Sequence, residues 1–255
     1  MDDTPIVLLH GATSSPRIWQ PVVAALGDRH TVLTPTLAGH LGGPPLRLGA
    51  GSVVERIAED MCEQLDAAGV GSAHLVGNSL GGWIALELAR RERARSVLAF
   101  SPAGGWTSAV DLQRMLLIFR IGAVLRRSKV LPSVGAGPRS RRILLRAMAE
   151  HADRLTASQA AAVFEDMAGC DALAVLIAGA RANGPIKALS ANCPVRIAWG
   201  TRDRTLPFAR YGRPLVAAVA GAEVQMMADV GHVPMIDDPA AVATAILRFV
   251  DDAAV

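Results

Sequence analysis

The sequence predicts an α/β fold: a mostly parallel sheet of about six strands with helices on both faces and an inserted run of helices. Segments that read as strands recur at Ile6–Leu9, Thr31–Leu37, Ala73–Gly77, Val97–Phe100, Val195–Trp199 and Glu223–Met227. Helical patterns or long connections separate them, and strands joined in that way pair in parallel. Between Phe100 and Val195 the alternation stops, and only helical patterns follow one another.

Length and composition set the limits of this expectation. The chain has 255 residues, enough for one large core or a core with an inserted subdomain. Hydrophobic residues make up 51% and charged residues 19%, a balance that excludes a disordered chain. The start, Met-Asp-Asp-Thr-Pro, has no basic leader region, and no apolar run approaches the roughly 20 residues of a membrane span. The expectation is a cytoplasmic protein without stable membrane insertion. Cys62, Cys170 and Cys193 are widely spaced, with no Cys-x-x-Cys pair or histidine at ligand spacing, so they read as free thiols and not as a metal site.

The elements follow in order. The run Ile6–Leu9 ends at His10-Gly11, and Thr31–Leu37 ends at Ala38-Gly39-His40. From Val53 to Ala68, apolar residues at Val54, Ile57, Ala58, Met61, Leu65 and Ala68 have the spacing of an amphipathic helix, with Ser52 as its N-cap. A strand at Ala73–Gly77 leads to a helix over Gly82–Arg90, which carries Trp83, Ile84, Leu86 and Leu88. After Val97–Phe100, helices are expected at Leu112–Leu125, Arg139–Ala149, Ser158–Ala168 and Asp171–Arg181, with breaks at Gly122, Pro132–Pro138 and Gly169. Two strands and a closing helix over Ala240–Val250 complete the chain. Residues 1–103 and 191–255 are therefore expected to form the core, and 104–190 a helical cap inserted in it. The cap holds 12 Lys and Arg against 6 Asp and Glu, so it carries the basicity of a chain whose net charge is +3. A solvated arginine-rich surface explains that, although an acidic substrate, an anionic membrane surface or a protein partner would also fit it. No aromatics alternate with the arginines, which speaks against nucleic acid.

One motif carries chemistry. The strand before Gly77-Asn78-Ser79-Leu80-Gly81 and the helix after it give the pattern of a nucleophile elbow centred on Ser79. A turn this tight needs residues without Cβ two places before and after the nucleophile, and Gly77 and Gly81 meet the demand. The helix start would also aim free N–H groups and a positive dipole end at charge developing on the substrate. A nucleophilic serine needs a base and an acid to orient it. Among six histidines, His232 stands in a Gly-His-Val-Pro loop between the last strand and the last helix. Such a loop lies at the carboxyl end of a parallel strand, where ligands meet these sheets. His40, which also follows a strand, is the second choice. Asp203, in Gly200-Thr-Arg-Asp after another strand, is the natural acid, and Arg202 and Arg204 would favour its ionised form if they lay nearby. Asp229 is too close to His232 along the chain, and Asp237 and Asp238 look like caps of the closing helix.

Together with Leu9-His10-Gly11-Ala12, these pieces resemble the α/β-hydrolase superfamily in its capped, single-domain form over nearly the full length. The order Ser79, Asp203, His232 is the one that resemblance implies. It further implies that the backbone N–H groups of Ala12 and Leu80 form an oxyanion hole, each worth ~3 kcal/mol of barrier. No metal or organic cofactor is implied. The implied activity is cleavage of a carboxylic ester or related acyl bond of a small apolar substrate through an acyl-enzyme on Ser79. His10 and the cap residues Trp106, Met115, Leu116 and Phe119 are candidates to line the substrate pocket. The partner expected is a small-molecule substrate, with a homodimer left open. Similar dehalogenases and epoxide hydrolases use an aspartate nucleophile, the latter with cap tyrosines, whereas the one tyrosine here is Tyr211, outside the cap. Carbon-carbon bond hydrolase, lactonase, thioesterase and cofactor-free perhydrolase activities stay open, as does a hydrolase-like receptor without turnover. Only Met1 to Pro5 precede the His-Gly strand, where many relatives carry a β-hairpin, and the loop Pro35–Gly43 departs from the usual pattern.

Overall fold

The computed structural model of the chain describes residues 4–47, 49–125 and 137–253. Its main sheet has six strands: β1 (Ile6–Leu9), β2 (Val32–Leu33), β3 (Ala73–Asn78), β4 (Ala94–Phe100), β6 (Val195–Gly200) and β8 (Glu223–Met227). They lie in the order β2-β1-β3-β4-β6-β8, and every pairing is parallel. Register aligns Leu9 with Gly77, Asn78 with Phe100, and Phe100 with Ala198, so the carboxyl ends of the central strands share one edge. Two further strands, β5 (Leu189–Ser190) and β7 (Val219–Ala220), form a small parallel pair that the sequence did not signal.

Alternate residues of the central strands feed two separate cores, which is why those strands read as nearly continuous apolar runs. Val7, Leu9, Leu75, Val97 and Ile197 face one layer, with α2 (Val53–Ala67) and α3 (Leu80–Arg90). Ile6, Leu8, Val76, Leu98 and Ala198 face the other, with α1 (Gln20–Leu26) and the closing helix α10 (Pro239–Ala253). Helix α2 starts where expected: the Ser52 hydroxyl accepts the Glu55 N–H at 3.1 Å, and the Glu55 carboxylate accepts the Ser52 N–H at 2.8 Å.

Between β4 and β5 come α4 (Ala109–Leu125), α5 (Pro138–Leu144), α6 (Ala157–Ala168) and α7 (Leu173–Asn183), with no strand among the described residues. Buried side chains tie this segment to the sheet. The Arg210 guanidinium meets Asp111 of α4 at 2.6 Å, the Tyr211 hydroxyl donates to the Asp111 carbonyl at 2.8 Å, and Ser15 donates to Asp166 of α6 at 2.7 Å. No helix among the described residues is long and apolar enough to cross a membrane.

Several expectations need correction. The second strand is two residues long, because Pro35 has no N–H to extend a ladder. Helix α4 runs through Gly122, so that glycine is no break, while 132–136 lie outside the described residues and Pro138 instead opens α5. Helix α5 stops at Leu144 and not at Ala149, since the chain turns there so that the Met148 carbonyl can accept the Val233 N–H at 2.8 Å. Short helices at Gln20–Leu26, Arg213–Ala218 (α8) and Pro234–Asp237 (α9) were not signalled by periodicity.

Candidate active site

Ser79 sits between β3 and α3 with φ 55° and ψ −113°, a left-handed conformation that costs a non-glycine residue of order 1–3 kcal/mol. The glycines around it make this possible. A Cβ on Gly77 would overlap the Gly81 carbonyl, and one on Gly81 would overlap the carbonyls of Leu9 and His10. Serine at the N-cap of a helix usually bonds back to the first turn. Here it makes no side-chain cap bond, which leaves the hydroxyl for other work.

Asp203 and His232 come from loops after β6 and β8 and are brought together. The Asp203 Oδ2 lies 2.8 Å from His232 Nδ1, and its Oδ1 accepts the Leu206 N–H at 2.7 Å. A carboxylate only accepts, so Nδ1 carries the proton and Nε2 is left as a base. Both side chains are buried. The two loops are bonded to each other: Thr201 and Arg202 donate backbone N–H groups to the carbonyls of Met227 and Val230 at 2.9 and 3.0 Å. Gly200 lacks the Cβ that would collide with the carbonyls of Val230 and Gly231.

Two residues that position this site escaped the sequence reading. The Asn78 amide donates to the His232 carbonyl at 2.9 Å and to the Phe100 carbonyl at 3.1 Å, joining the serine's strand to the histidine's loop. Asp237 does not cap the closing helix. Asp238 does, accepting the Ala241 N–H at 2.9 Å. Asp237 is buried and accepts the N–H groups of Gly231 at 2.6 Å, Glu150 at 3.1 Å and His151 at 2.6 Å. Chain proximity to His232 was the only available signal for it.

The turn after β1 packs against the serine, since a Cβ on Gly11 would come within 3.4 Å of the Ser79 Cβ. Ala12 of that turn and Leu80 both line the space at Ser79. Leu80 is the first residue of α3, where backbone N–H groups have no partner within the helix. His10 supports this turn and lines neither of the two cavities at Ser79: its Nδ1 donates to the Gly11 carbonyl at 2.9 Å and its Nε2 accepts the Leu37 N–H at 3.1 Å. Burial, then the neighbouring His40, hold its pKa down to about 3. His40 stacks edge-on against it at 5.0 Å between ring centres and is itself lowered by burial. It lines neither of the two cavities at Ser79. Asp229 is turned outward to Arg202 at 3.3 Å, and Arg204 pairs with Glu150 at 2.5 Å, so neither arginine serves Asp203.

Two cavities meet at Ser79. One, of about 370 Å³, is lined by Leu80 and Trp83 on the sheet side and by Trp106, Met115, Leu116 and Phe119 on the other. The second, of about 80 Å³, contains His232, Thr13, Met148 and Met167. Among the described residues, no group of three or more His, Cys, Asp or Glu is placed to hold a metal ion.

Comparison with known proteins fits this geometry. The profile of the alpha/beta hydrolase family matches residues 6–245. A Mycobacterium tuberculosis protein named epoxide hydrolase EphH is 31% identical over 201 residues, covering 77% of this chain and 94% of its own length. A thermophilic esterase from Thermogutta terrifontis superposes with a TM-score of 0.76 at 20% identity, over 98% of this chain and 90% of the other. Naproxen esterase from Bacillus subtilis gives 0.73 at 21% identity, over 97% and 84%. These two likenesses speak for the fold alone. With the family profile spanning nearly the whole sheet and its loops, this chain belongs to the alpha/beta hydrolase family.

Proposed function

We propose that the chain is a serine hydrolase that cleaves a carboxylic ester through an acyl-enzyme on Ser79. The observation that carries this reading is the buried 2.8 Å contact between Asp203 and His232, in a loop sharing a cavity with Ser79. His232 Nε2 takes the hydroxyl proton as Ser79 Oγ bonds to the ester carbon. The carbonyl electrons move onto oxygen, where the N–H groups of Ala12 and Leu80 are fixed before the charge appears. The bond to the alcohol oxygen then breaks and His232 returns the proton to it. Water repeats the cycle on the acyl-enzyme, releasing the acid and restoring Ser79. Asp203 holds the imidazole in the required tautomer throughout. The helices of 104–190 act as a cap that shields the reaction from bulk water.

The mycobacterial relative's name raises a second reading, epoxide opening. A carboxylate nucleophile would have to stand where Ser79 is, and a phenol would have to face the substrate. The single tyrosine, Tyr211, instead gives its hydroxyl to the Asp111 carbonyl at 2.8 Å and lines neither cavity. Ester cleavage is therefore the better fit. The test is hydrolysis of p-nitrophenyl esters and of styrene oxide by wild type and Ser79→Ala. Ester turnover should fall at least ~10⁴-fold in the variant. Diol formation that survives the substitution would overturn the proposal.

A further inference from the structure

Resting on the acyl-enzyme reading, we propose that the natural substrate carries its bulk on the acyl side: an extended apolar acyl group esterified to a small alcohol. The two cavities share Ala12, Ser79 and Phe119, but only the smaller contains His232. The imidazole must return a proton to the leaving oxygen, so the alcohol has to lie on its side of the serine. The acyl group, still bonded to Ser79, is then directed into the larger cavity, which His232 does not touch.

Size and lining fit this assignment. The cavity beside His232 measures about 80 Å³, less than a quarter of the about 370 Å³ on the other side of the serine. The backbone around the small space is tied down: the Met148 carbonyl accepts the Val233 N–H at 2.8 Å, and the Thr205 hydroxyl donates to the Ala147 carbonyl at 2.7 Å. The large cavity is walled by Leu80, Trp83, Leu116 and Leu176, and its exposed lining residues, Gly51, Asn183, Pro185 and Lys187, form an opening. Lys187 is paired there with Glu55 at 2.9 Å. A chain entering from Ser79 crosses apolar wall before reaching that polar rim.

Isomeric esters isolate the effect, because methyl octanoate and heptyl acetate have the same atoms and differ only in which side of the carbonyl carries the chain. The expected result is a kcat/KM at least ~10-fold higher for methyl octanoate, the scale on which a filled or blocked apolar pocket discriminates. Equal rates, or a preference for heptyl acetate, would overturn the assignment. An Ala180→Trp variant fills the large cavity from α7 and should lower methyl octanoate against methyl acetate by a similar factor. An unchanged ratio in a folded variant would likewise count against it. Hydrolysis of p-nitrophenyl acetate separates the two levels of failure. If Ser79-dependent turnover is seen without the chain-side preference, the substrate assignment alone fails; if that turnover is absent, the acyl-enzyme reading and the assignment resting on it both fail.

Discussion

Asp203 divides its two oxygens between tasks, one fixing the loop through the Leu206 N–H and the other facing His232. Asp203→Asn keeps the size and can keep the loop bond, but its amide N–H would face Nδ1 and reverse the imidazole tautomer. The expected outcome is a loss of about 10⁴-fold in kcat with little change in denaturation midpoint. Near-normal turnover in a p-nitrophenyl ester assay would remove Asp203 from the mechanism. His10 makes a different prediction. Its pKa falls from 6.5 unfolded to about 3 folded, so between those values the unfolded chain binds the extra proton. Stability from the neutral ring is complete above pH 6.5 and is lost on acidification, at up to ~1.4 kcal/mol per pH unit. His10→Gln, which can still accept from Leu37, should flatten urea stability between pH 6.5 and 4. A slope identical to wild type would mean that the ring's protonation does not differ between the two states.

At the level of elements, strain gathers where the chemistry is. Of the five described non-glycine residues with positive φ, Thr13, Ser79, Ser101 and Asp229 stand in loops after β1, β3, β4 and β8. Sheet packing pins these loops in conformations they would otherwise leave, and the elbow glycines are the clearest case. Gly81→Ala places a methyl against the backbone of Leu9 and His10, which cannot swing aside as a side chain could. It should cost at least about 1–3 kcal/mol in chemical denaturation and abolish turnover, because relief must come from moving the Ser79 turn. A variant with wild-type stability would show that this approach is looser than drawn. Strands β1, β3, β4 and β6 and the elbow were legible in sequence because burial on both faces and the absence of Cβ are local demands. Helix α1 was not, since its seven residues, Gln20–Leu26, are too few to show a period. The ends of α5 were misread because a contact with the Val233 N–H stops a segment whose own composition would continue.

Across the whole molecule, three buried carboxylates fasten the 104–190 segment to the sheet, and none could be assigned from the sequence. Asp111 meets Arg210, Asp166 meets Ser15 and Arg17, and Asp237 meets Glu150 and His151. Periodicity identifies a helix but carries no information on which distant charge it will meet, so the run of helices was readable and its attachment was not. Asp237 is the most consequential of the three, because it binds the 104–190 segment at Glu150 and His151 and the histidine's loop at Gly231 with one carboxylate. Asp237→Asn would turn an amide N–H toward backbone donors that now share two oxygens. Hydrogen bonds to a charged group are worth roughly 1.5–3 kcal/mol each, so a loss of about that size is expected. At ~2–4 °C per kcal/mol for a chain of this length, calorimetry should record a Tm lower by roughly 3–12 °C. Turnover should fall with it, since Gly231 adjoins His232. Asp238→Asn is the matched control: it is exposed, and asparagine caps a helix as well as aspartate does. Equal Tm and kcat in the two variants would mean that the buried carboxylate does not couple the 104–190 segment to the histidine's loop.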